Sequence, residues 1–522
     1  MDASKIKAII VAVLALFAAL YLGITAATAQ FETIAWVLGG VTLSVCLLLG
    51  RKIWLLIPFL GAVQLTLSVP GRPDTLLMAQ ILVIGFSVML LLMRRLPFRL
   101  NMTELEWWIF LIALLIVQVY VRNPTGFSLF GAASVGGKPY VIFAITTVAA
   151  FLLAGLRVPE AEIRTALRFT ILGGLMNFGI SVLGRIFPTV GYWTGTNFAL
   201  TTEGDYTNIG EAVDAGRATR QGFLMTAATN LAIWISAFRS PLKASFHPVW
   251  APLILLTFAF AALSGFRSAI GIAGLTYLIG ICYRGGFIQV FISGMIGVLG
   301  LALLAIVNLT TPLPPNIQRS LSFLPGTWEE RYKNETEGST EWRVDMWKEA
   351  LGSERWIQNK LLGDGLGFTA RELEYQMSLK EGQLSRQGLS GFDAQREGVL
   401  AAGDYHSVFV SSVRTVGYIG FIVYFIAAIR TAVHAHRLIQ RYRRTPHFST
   451  CLFFGLPAII SPLWLPFSAQ TFVQVASSTL GVIAMLRILQ NNLPNIQGPA
   501  DPPVQRELPH RNHTIKPLVA TS

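Results

Sequence analysis

Charged side chains are scarce in this chain: they make up 13% of its 522 residues, against 53% hydrophobic residues. Soluble globular domains carry roughly a quarter charged residues, so the composition excludes an ordinary soluble enzyme. It also excludes a disordered chain, which has too few apolar residues to bury. Only three cysteines occur, and all lie inside apolar runs. Without a Cys-x-x-Cys or Cys/His pattern, the sequence argues against a zinc site and a disulfide framework.

Long apolar runs are abundant, and the mean hydropathy is +0.55. A hydrocarbon core about 30 Å thick needs roughly 20 apolar residues per helix, so we predict an all-α polytopic membrane protein with about 14 transmembrane helices. The predicted spans lie near 8–27, 33–49, 53–69, 76–93, 105–121, 139–156, 166–187, 222–238, 248–264, 268–283, 286–308, 406–430, 450–466 and 470–487. The first run partly resembles a signal peptide ending at Ala27-Thr28-Ala29, but it is long for one, which favours an uncleaved helix.

Basic residues near the span ends predict the orientation, because cytoplasmic connections are enriched in Lys and Arg. They occupy alternate connections, which we predict to be cytoplasmic together with both termini. These residues are Lys5, Lys7, Arg51, Lys52, Arg94, Arg95, Arg99, Arg157, Arg164, Arg168, Arg239, Lys243, Arg284, Arg437, Arg441, Arg443 and Arg444. The net charge of +13 is therefore mostly a topology signal, and we expect no nucleic-acid partner.

Two connections on the predicted outer side are too long to be hairpins. They cover about 188–221 and 309–405, and the second holds most of the Asp and Glu. The predicted organisation is transmembrane helices 1–11 in 1–308, a large outer loop with amphipathic helices in 309–405, helices 12–14 in 406–488, and a disordered cytoplasmic tail in 489–522.

Arg267 stands between two apolar runs with no real loop. An ionisable residue at helix depth is a functional hypothesis by default. Arg267 either snorkels to the outer headgroups or binds an anion at the outer face of the bundle. The second interpretation is favoured, because a guanidinium is always charged and presents a fork suited to phosphate oxygens.

Arg343 lies in the segment 341–351, which predicts an amphipathic helix. It falls on the apolar face of that helix, beside Met346, Trp347 and Ala350. A lone Arg there is either stacked on Trp347 as a cation–π pair or a ligand-binding group that faces the membrane surface.

His406 is the one histidine of seven that is predicted on the outer side, where the long loop re-enters the membrane. A single His is often only a hydrogen-bonded structural residue. Its position at a helix start near two displaced arginines also fits a catalytic or substrate-binding role, since His acts as a general base at neutral pH.

The shorter outer loop adds Arg217 and Arg220 just before the span at 222–238, and ordinary loop charge is the favoured interpretation for both. Glycines between Leu362 and Phe368 predict a tight loop after the Arg343 helix. Because no strand precedes them, they do not indicate a nucleotide-binding fold.

The order of these features is similar to that of a known family. Along the chain, the features come in the order Ser264-Gly265-Phe266-Arg267, a large outer loop, Arg343-x-x-x-Trp347, Leu362-Gly363-x-Gly365-x-Gly367, and then His406 followed by Gly417 and Gly420. This set resembles the O-antigen ligase and O-antigen polymerase superfamily over roughly 200–430. Ser407, where many members have Asn, and Phe266, where a smaller residue is common, depart from the pattern and leave the subfamily open.

The resemblance implies a membrane glycosyltransferase without cofactor or metal. It would move a glycan from an undecaprenyl pyrophosphate carrier to an acceptor hydroxyl on a glycan or lipid, at the outer, periplasmic face of the bacterial inner membrane. Envelope polysaccharide-assembly proteins would be its protein partners. Arg267 and Arg343 would bind the pyrophosphate, with Arg220 and its neighbour Arg217 as weaker contributors. His406 would orient or deprotonate the acceptor, and Trp347 would stack on a sugar or brace Arg343. Whether the enzyme is a polymerase or a ligase stays open.

Two other hypotheses remain. A secondary transporter or lipid-linked glycan flippase would need cations deep in the spans, for which Arg414 and Arg185 are the candidates. A noncatalytic envelope scaffold would use the long loop to bind protein, and would tolerate replacement of Arg267 and His406.

Overall fold

The computed structural model describes residues 40, 44–67, 72–125, 136–200, 220–366, 399–400, 403 and 405–494. Within these residues, nine helices are long and apolar enough to cross a membrane, and two shorter apolar helices accompany them. The described chain is therefore mostly helical and has the make-up of a membrane-embedded protein, as its composition predicts. The total of about 14 spans stays a prediction, since the span at 8–27 and most of that at 33–49 lie outside the described residues. The predicted break between 33–49 and 53–69 is wrong, because one candidate span, Ser44–Val63, runs across it.

The helices follow one another with mostly short connections. Their bounds are α1 Ser44–Val63, α2 Thr75–Leu92, α3 Glu104–Arg122, α4 Lys138–Gly155, α5 Glu160–Ile186, α6 Pro188–Asn197, α7 Gly222–Phe238, α8 Trp250–Leu263, α9 Arg267–Gly285, α10 Phe287–Thr310, α11 Pro315–Leu321, α12 Glu330–Gly352, α13 Val408–Arg441, α14 Phe448–Trp464 and α15 Phe472–Asn492. From 76–93 onward, every predicted span coincides with one of these helices. Apolar runs of this length have few other ways to satisfy their backbone in a membrane.

Some features differ from the sequence prediction. Helix α13 extends to Arg441, well beyond the predicted end near 430, because its polar continuation packs beside α3, where Arg430 and His434 bind Glu104. A two-stranded antiparallel sheet joins β1 (Leu65–Leu67) to β2 (Phe198–Leu200), and no sequence pattern predicted it.

The helices differ in how much of their surface the protein covers. Helices α14 and α15 are mostly buried by their neighbours, whereas α10 has no buried residue along its 24 residues. Large apolar side chains of α10, such as Phe287 and Val298, point away from the rest of the protein. In a membrane-embedded chain, such a surface is suited to contact with lipid tails.

One end of the bundle, which we call the basic end, is where α3 begins and α13 ends. Polar pairs between distant helices hold it together. Glu106 is fully buried and is bound by Arg487 of α15, while the Trp54 indole N–H donates to Glu162 at 3.0 Å. At this end the basic connections meet, since His447 lies 3.7 Å from Glu160. Two of the connections that were predicted to share a side, those before α5 and before α14, therefore lie together.

The opposite end, which we call the loop end, is where α3 ends and α13 begins. It carries the start of α7, the turn between α8 and α9, helices α11 and α12, and the described part of the large loop. Residues 367–398 of that loop, and the tail from 495, lie outside the described residues. Successive long helices run in opposite directions, so α7, α9 and α13 all begin at the loop end. The described site residues that the sequence predicts therefore lie at this end.

Candidate functional site

The turn between α8 and α9 places Arg267 at the first position of α9. Gly265 adopts a φ of 73°, a left-handed conformation that glycine takes without strain. The Ser264 hydroxyl accepts a hydrogen bond from the Phe266 amide at 3.2 Å and donates to the Ala261 carbonyl at 2.7 Å. The turn is thereby fixed by its own side chains, and Arg267 is partly buried.

Two neighbouring segments hold this turn from outside. The Gln221 amide donates to the Ser264 carbonyl at 2.8 Å, so the residue that follows Arg220 is bound directly to the turn. On the other side, α11 donates from Asn316 to the Leu263 carbonyl at 3.1 Å. The sequence does not predict α11, whose role is to connect the turn with the large loop.

Arg220 contacts the same turn through its guanidinium, whose central carbon lies 5.7 Å from the centre of the Phe266 ring. Its positive charge also acts on Arg267. Among the described residues, Arg220 makes no hydrogen bond or ion pair. The favoured interpretation of Arg220 as ordinary loop charge therefore misses a contact with the Arg267 turn. Its neighbour Arg217 lies outside the described residues.

Arg343 projects from the buried face of α12, as the amphipathic pattern predicts. Met346 and Ala350 on that face are fully buried, and Arg343 is partly buried. Burial, and after it the positive charges of Arg220 and Arg267, lower the pKa of the Arg343 guanidinium. The structure thus brings three arginines from separate segments within electrostatic reach of one another.

The Arg343 guanidinium is incompletely satisfied. Its Nε is buried and has no hydrogen-bond acceptor among the described residues, and no carboxylate there forms an ion pair with it. It also makes no ring contact with Trp347, so the described part of the chain does not support the cation–π alternative. A buried guanidinium nitrogen without an acceptor is costly to maintain.

His406 lies beside α12, where the large loop meets α13. The His406 ring centre is 6.1 Å from that of Trp342, one residue before Arg343. The Trp347 indole N–H donates to the Tyr405 carbonyl at 2.7 Å, so two tryptophans join α12 to the His406 segment. His406 has a φ of 47°, a left-handed backbone that is uncommon outside glycine and often marks functional positions.

Arg414, a deep-cation candidate for a flippase, is buried in the first turns of α13. A Cβ added to Gly403 would lie 2.5 Å from Arg414 Nη1, so the guanidinium packs directly against the backbone three residues before His406. Arg185, the other candidate, lies with its guanidinium carbon 4.9 Å from the Phe223 ring centre. Both therefore lie near helix ends that face the loop end.

The arrangement can bind an anion with several oxygens. Three cations from different segments lie within electrostatic reach of one another, and His406 lies just before α13, with its ring centre 6.1 Å from that of Trp342. Among the described residues, no group of three or more His, Cys, Asp or Glu side chains could hold a metal ion. No protein-family model matches this chain, and no curated protein matches it.

Proposed function

We propose that the protein is a glycosyltransferase of the O-antigen ligase or polymerase type. It would move a glycan from an undecaprenyl pyrophosphate carrier to an acceptor hydroxyl at the outer face of the bacterial inner membrane. The observation that carries this proposal is the cluster of Arg220, Arg267 and Arg343, in which the buried Arg343 Nε has no acceptor in the described chain. A diphosphate would supply negative charge and the oxygen acceptor that Arg343 Nε lacks in the described chain.

The chemistry follows from where charge develops. The acceptor oxygen attacks the anomeric carbon, and the bond from that carbon to the pyrophosphate oxygen breaks. The electron pair leaves with the diphosphate, and the acceptor proton passes to a ring nitrogen of His406. Arg267 and Arg343, with Arg220 beside them, stabilise the charge that grows on the leaving oxygen. Because these cations are permanent, we propose a metal-independent transfer.

Two features support a lipid-borne donor. The cluster lies at the rim of an apolar bundle, so an ionic headgroup can reach it while an apolar tail stays in the bilayer. The loop end, where the cluster lies, is opposite the basic end, and the positive-inside rule would place the basic end in the cytoplasm. The donor would then meet the site at the outer surface.

The test is reconstitution of purified protein with purified lipid-linked glycan in liposomes, without nucleotide and with EDTA. We expect wild type to transfer glycan, and Arg267→Ala, Arg343→Ala and His406→Ala each to lose about 10²–10³ in rate. Lys348→Ala is the matched control, since Lys348 is exposed on the same helix as Arg343. Full activity in all three variants would refute the site. Movement of glycan across the bilayer without transfer would favour a flippase.

A further inference from the structure

Helix α13 is broken shortly after it begins. Gly417 has φ 73° and ψ 178°, which no α-helix contains. The break separates a first segment, residues 408–416, from the rest of α13, and we call this first segment the entry segment. It begins two residues after His406 and is almost entirely buried. A break leaves backbone amides and carbonyls without their helical partners, and these groups need other partners when buried.

The loop 359–366, which we call the glycine loop, supplies those partners. The Tyr418 amide donates to the Lys360 carbonyl at 2.8 Å, and the Ile419 amide to the Leu361 carbonyl at 3.3 Å. In return, the Asp364 amide donates to the Arg414 carbonyl at 2.6 Å. The glycine loop therefore bonds both sides of the break, and it connects the entry segment to the remainder of α13.

Two glycines make this crossing possible. A Cβ on Gly417 would lie 2.2 Å from the Leu361 carbonyl oxygen, and one on Gly363 would lie 2.5 Å from that of Thr415. Both have positive φ, 73° and 82° respectively. Backbone meets backbone at these points, so a side chain has no flexible neighbour to displace.

The end of α3 holds the other side of the glycine loop. Arg122 Nη2 donates to the carbonyls of Leu362 and Gly363, each at 2.8 Å, and Asn123 Nδ2 donates to that of Asp364 at 3.0 Å. The Asp364 carboxylate accepts two further backbone amides at 2.8 Å. Arg122 is exposed, yet its guanidinium donates hydrogen bonds to carbonyls of the glycine loop.

The glycine loop also follows α12 in the chain, and only residues 353–358 separate it from the end of that helix at Gly352. Arg343 and His406 are consequently joined twice, once by the Trp342 and Trp347 contacts and once through the loop and the entry segment. We propose that Arg122 is a positioning residue that holds the glycine loop across the break in α13, and so fixes His406 relative to Arg343. This inference rests on the glycosyltransfer proposed above.

The kinetic test compares Arg122→Ala and Arg122→Lys with wild type in the reconstituted transfer assay. A misplacement of about 1 Å can reduce a rate by about 10², so we expect kcat to fall roughly 10- to 100-fold in Arg122→Ala. The KM for the lipid-linked donor should stay within about threefold, because the three pyrophosphate-binding arginines remain. Lysine reaches one carbonyl at a time, so Arg122→Lys should recover part of kcat. Arg164→Ala, an exposed arginine at the basic end, should match wild type.

Hydrogen exchange provides a readout of position. In Arg122→Ala, the amides of Asp364, Tyr418 and Ile419 should exchange at least about tenfold faster, while those of α15 stay protected. Unchanged kcat, a change in KM alone, or a loss of kcat without faster exchange would each overturn the positioning role. If wild type itself transfers no glycan, the proposed function fails and this inference fails with it. An active wild type with a normal Arg122→Ala overturns this inference alone.

Discussion

Replacing Arg343 by methionine should stabilise the protein while it abolishes transfer. Methionine fills a similar volume on the buried face of α12 but carries no charge and no donor. The lowered pKa of Arg343 means that the folded state disfavours its charged form, which is the form present at neutral pH. Removal of the charge therefore removes an unfavourable contribution over the whole working pH range.

The expected gain in the free energy of unfolding has two contributions. A buried donor without an acceptor costs about 1–3 kcal/mol. Repulsion from the charges of Arg220 and Arg267 adds on the order of 1 kcal/mol, after allowance for solvent screening at a partly exposed site. The loss of packing by the aliphatic part of the Arg343 side chain offsets some of these two gains in stability. We expect a net gain of about 1–2 kcal/mol for Arg343→Met in the absence of substrate.

The assay is denaturant or thermal unfolding in detergent, with and without pyrophosphate. Lys348→Met is the control, because it removes a positive charge from the exposed face of α12, and its effect should be within about 0.5 kcal/mol. Pyrophosphate should stabilise wild type by mass action and should have a much smaller effect on Arg343→Met. A loss of more than about 1 kcal/mol in Arg343→Met would show that the guanidinium has a structural partner, and it would refute this reasoning.

Two further predictions concern packing elsewhere in the bundle. Glu106→Ala leaves Arg487 buried without its carboxylate and should lower the free energy of unfolding by about 3–5 kcal/mol, much of which a second change, Arg487→Met, should restore; additive losses would contradict the pairing. Gly271→Ala places a Cβ 2.7 Å from the Trp464 ring and should destabilise by about 1–3 kcal/mol, and the smaller ring of Trp464→Phe should relieve this in the double variant; an unchanged melting temperature in the single variant would refute the contact.

From α2 onward the sequence predicts the described apolar helices well, because a long apolar run in a hydrocarbon core satisfies its backbone as a helix. It also predicts the buried face of α12, because Met346 and Ala350 recur at helical spacing with Arg343. These are local patterns. They need no knowledge of which segments meet in space.

The parts that the sequence does not predict are contacts between distant segments. A glycine motif indicates a turn, but nothing local says that Gly363 crosses the backbone at Gly417 or that Arg122 lies behind it. The position of Arg220 on the Phe266 ring likewise depends on how α7 and α9 pack. The sequence does show closely spaced glycines between Leu362 and Phe368. Only the structure shows which backbone segment they cross.

The described arginines differ in whether a carboxylate balances their charge, and the contrast of Arg430 and Arg487 with Arg220 and Arg343 supports a ligand at the loop end. At the basic end, Arg487 binds Glu106, and Arg430 binds Glu104. Each of those pairs balances its charge within the protein. At the loop end, Arg220 and Arg343 repel each other, and no carboxylate in the described chain forms an ion pair with either.

A buried guanidinium nitrogen without an acceptor, such as Arg343 Nε in the described chain, destabilises the fold in isolation, and a partner that arrives from outside would explain it. To satisfy guanidinium groups on separate segments, such a partner would need more than one negative charge and several acceptor oxygens. A diphosphate meets both requirements, and a single carboxylate or a neutral sugar meets neither. The same logic predicts that the site binds donor chiefly through its headgroup, so shortening the lipid tail should affect membrane partitioning more than binding to the arginines.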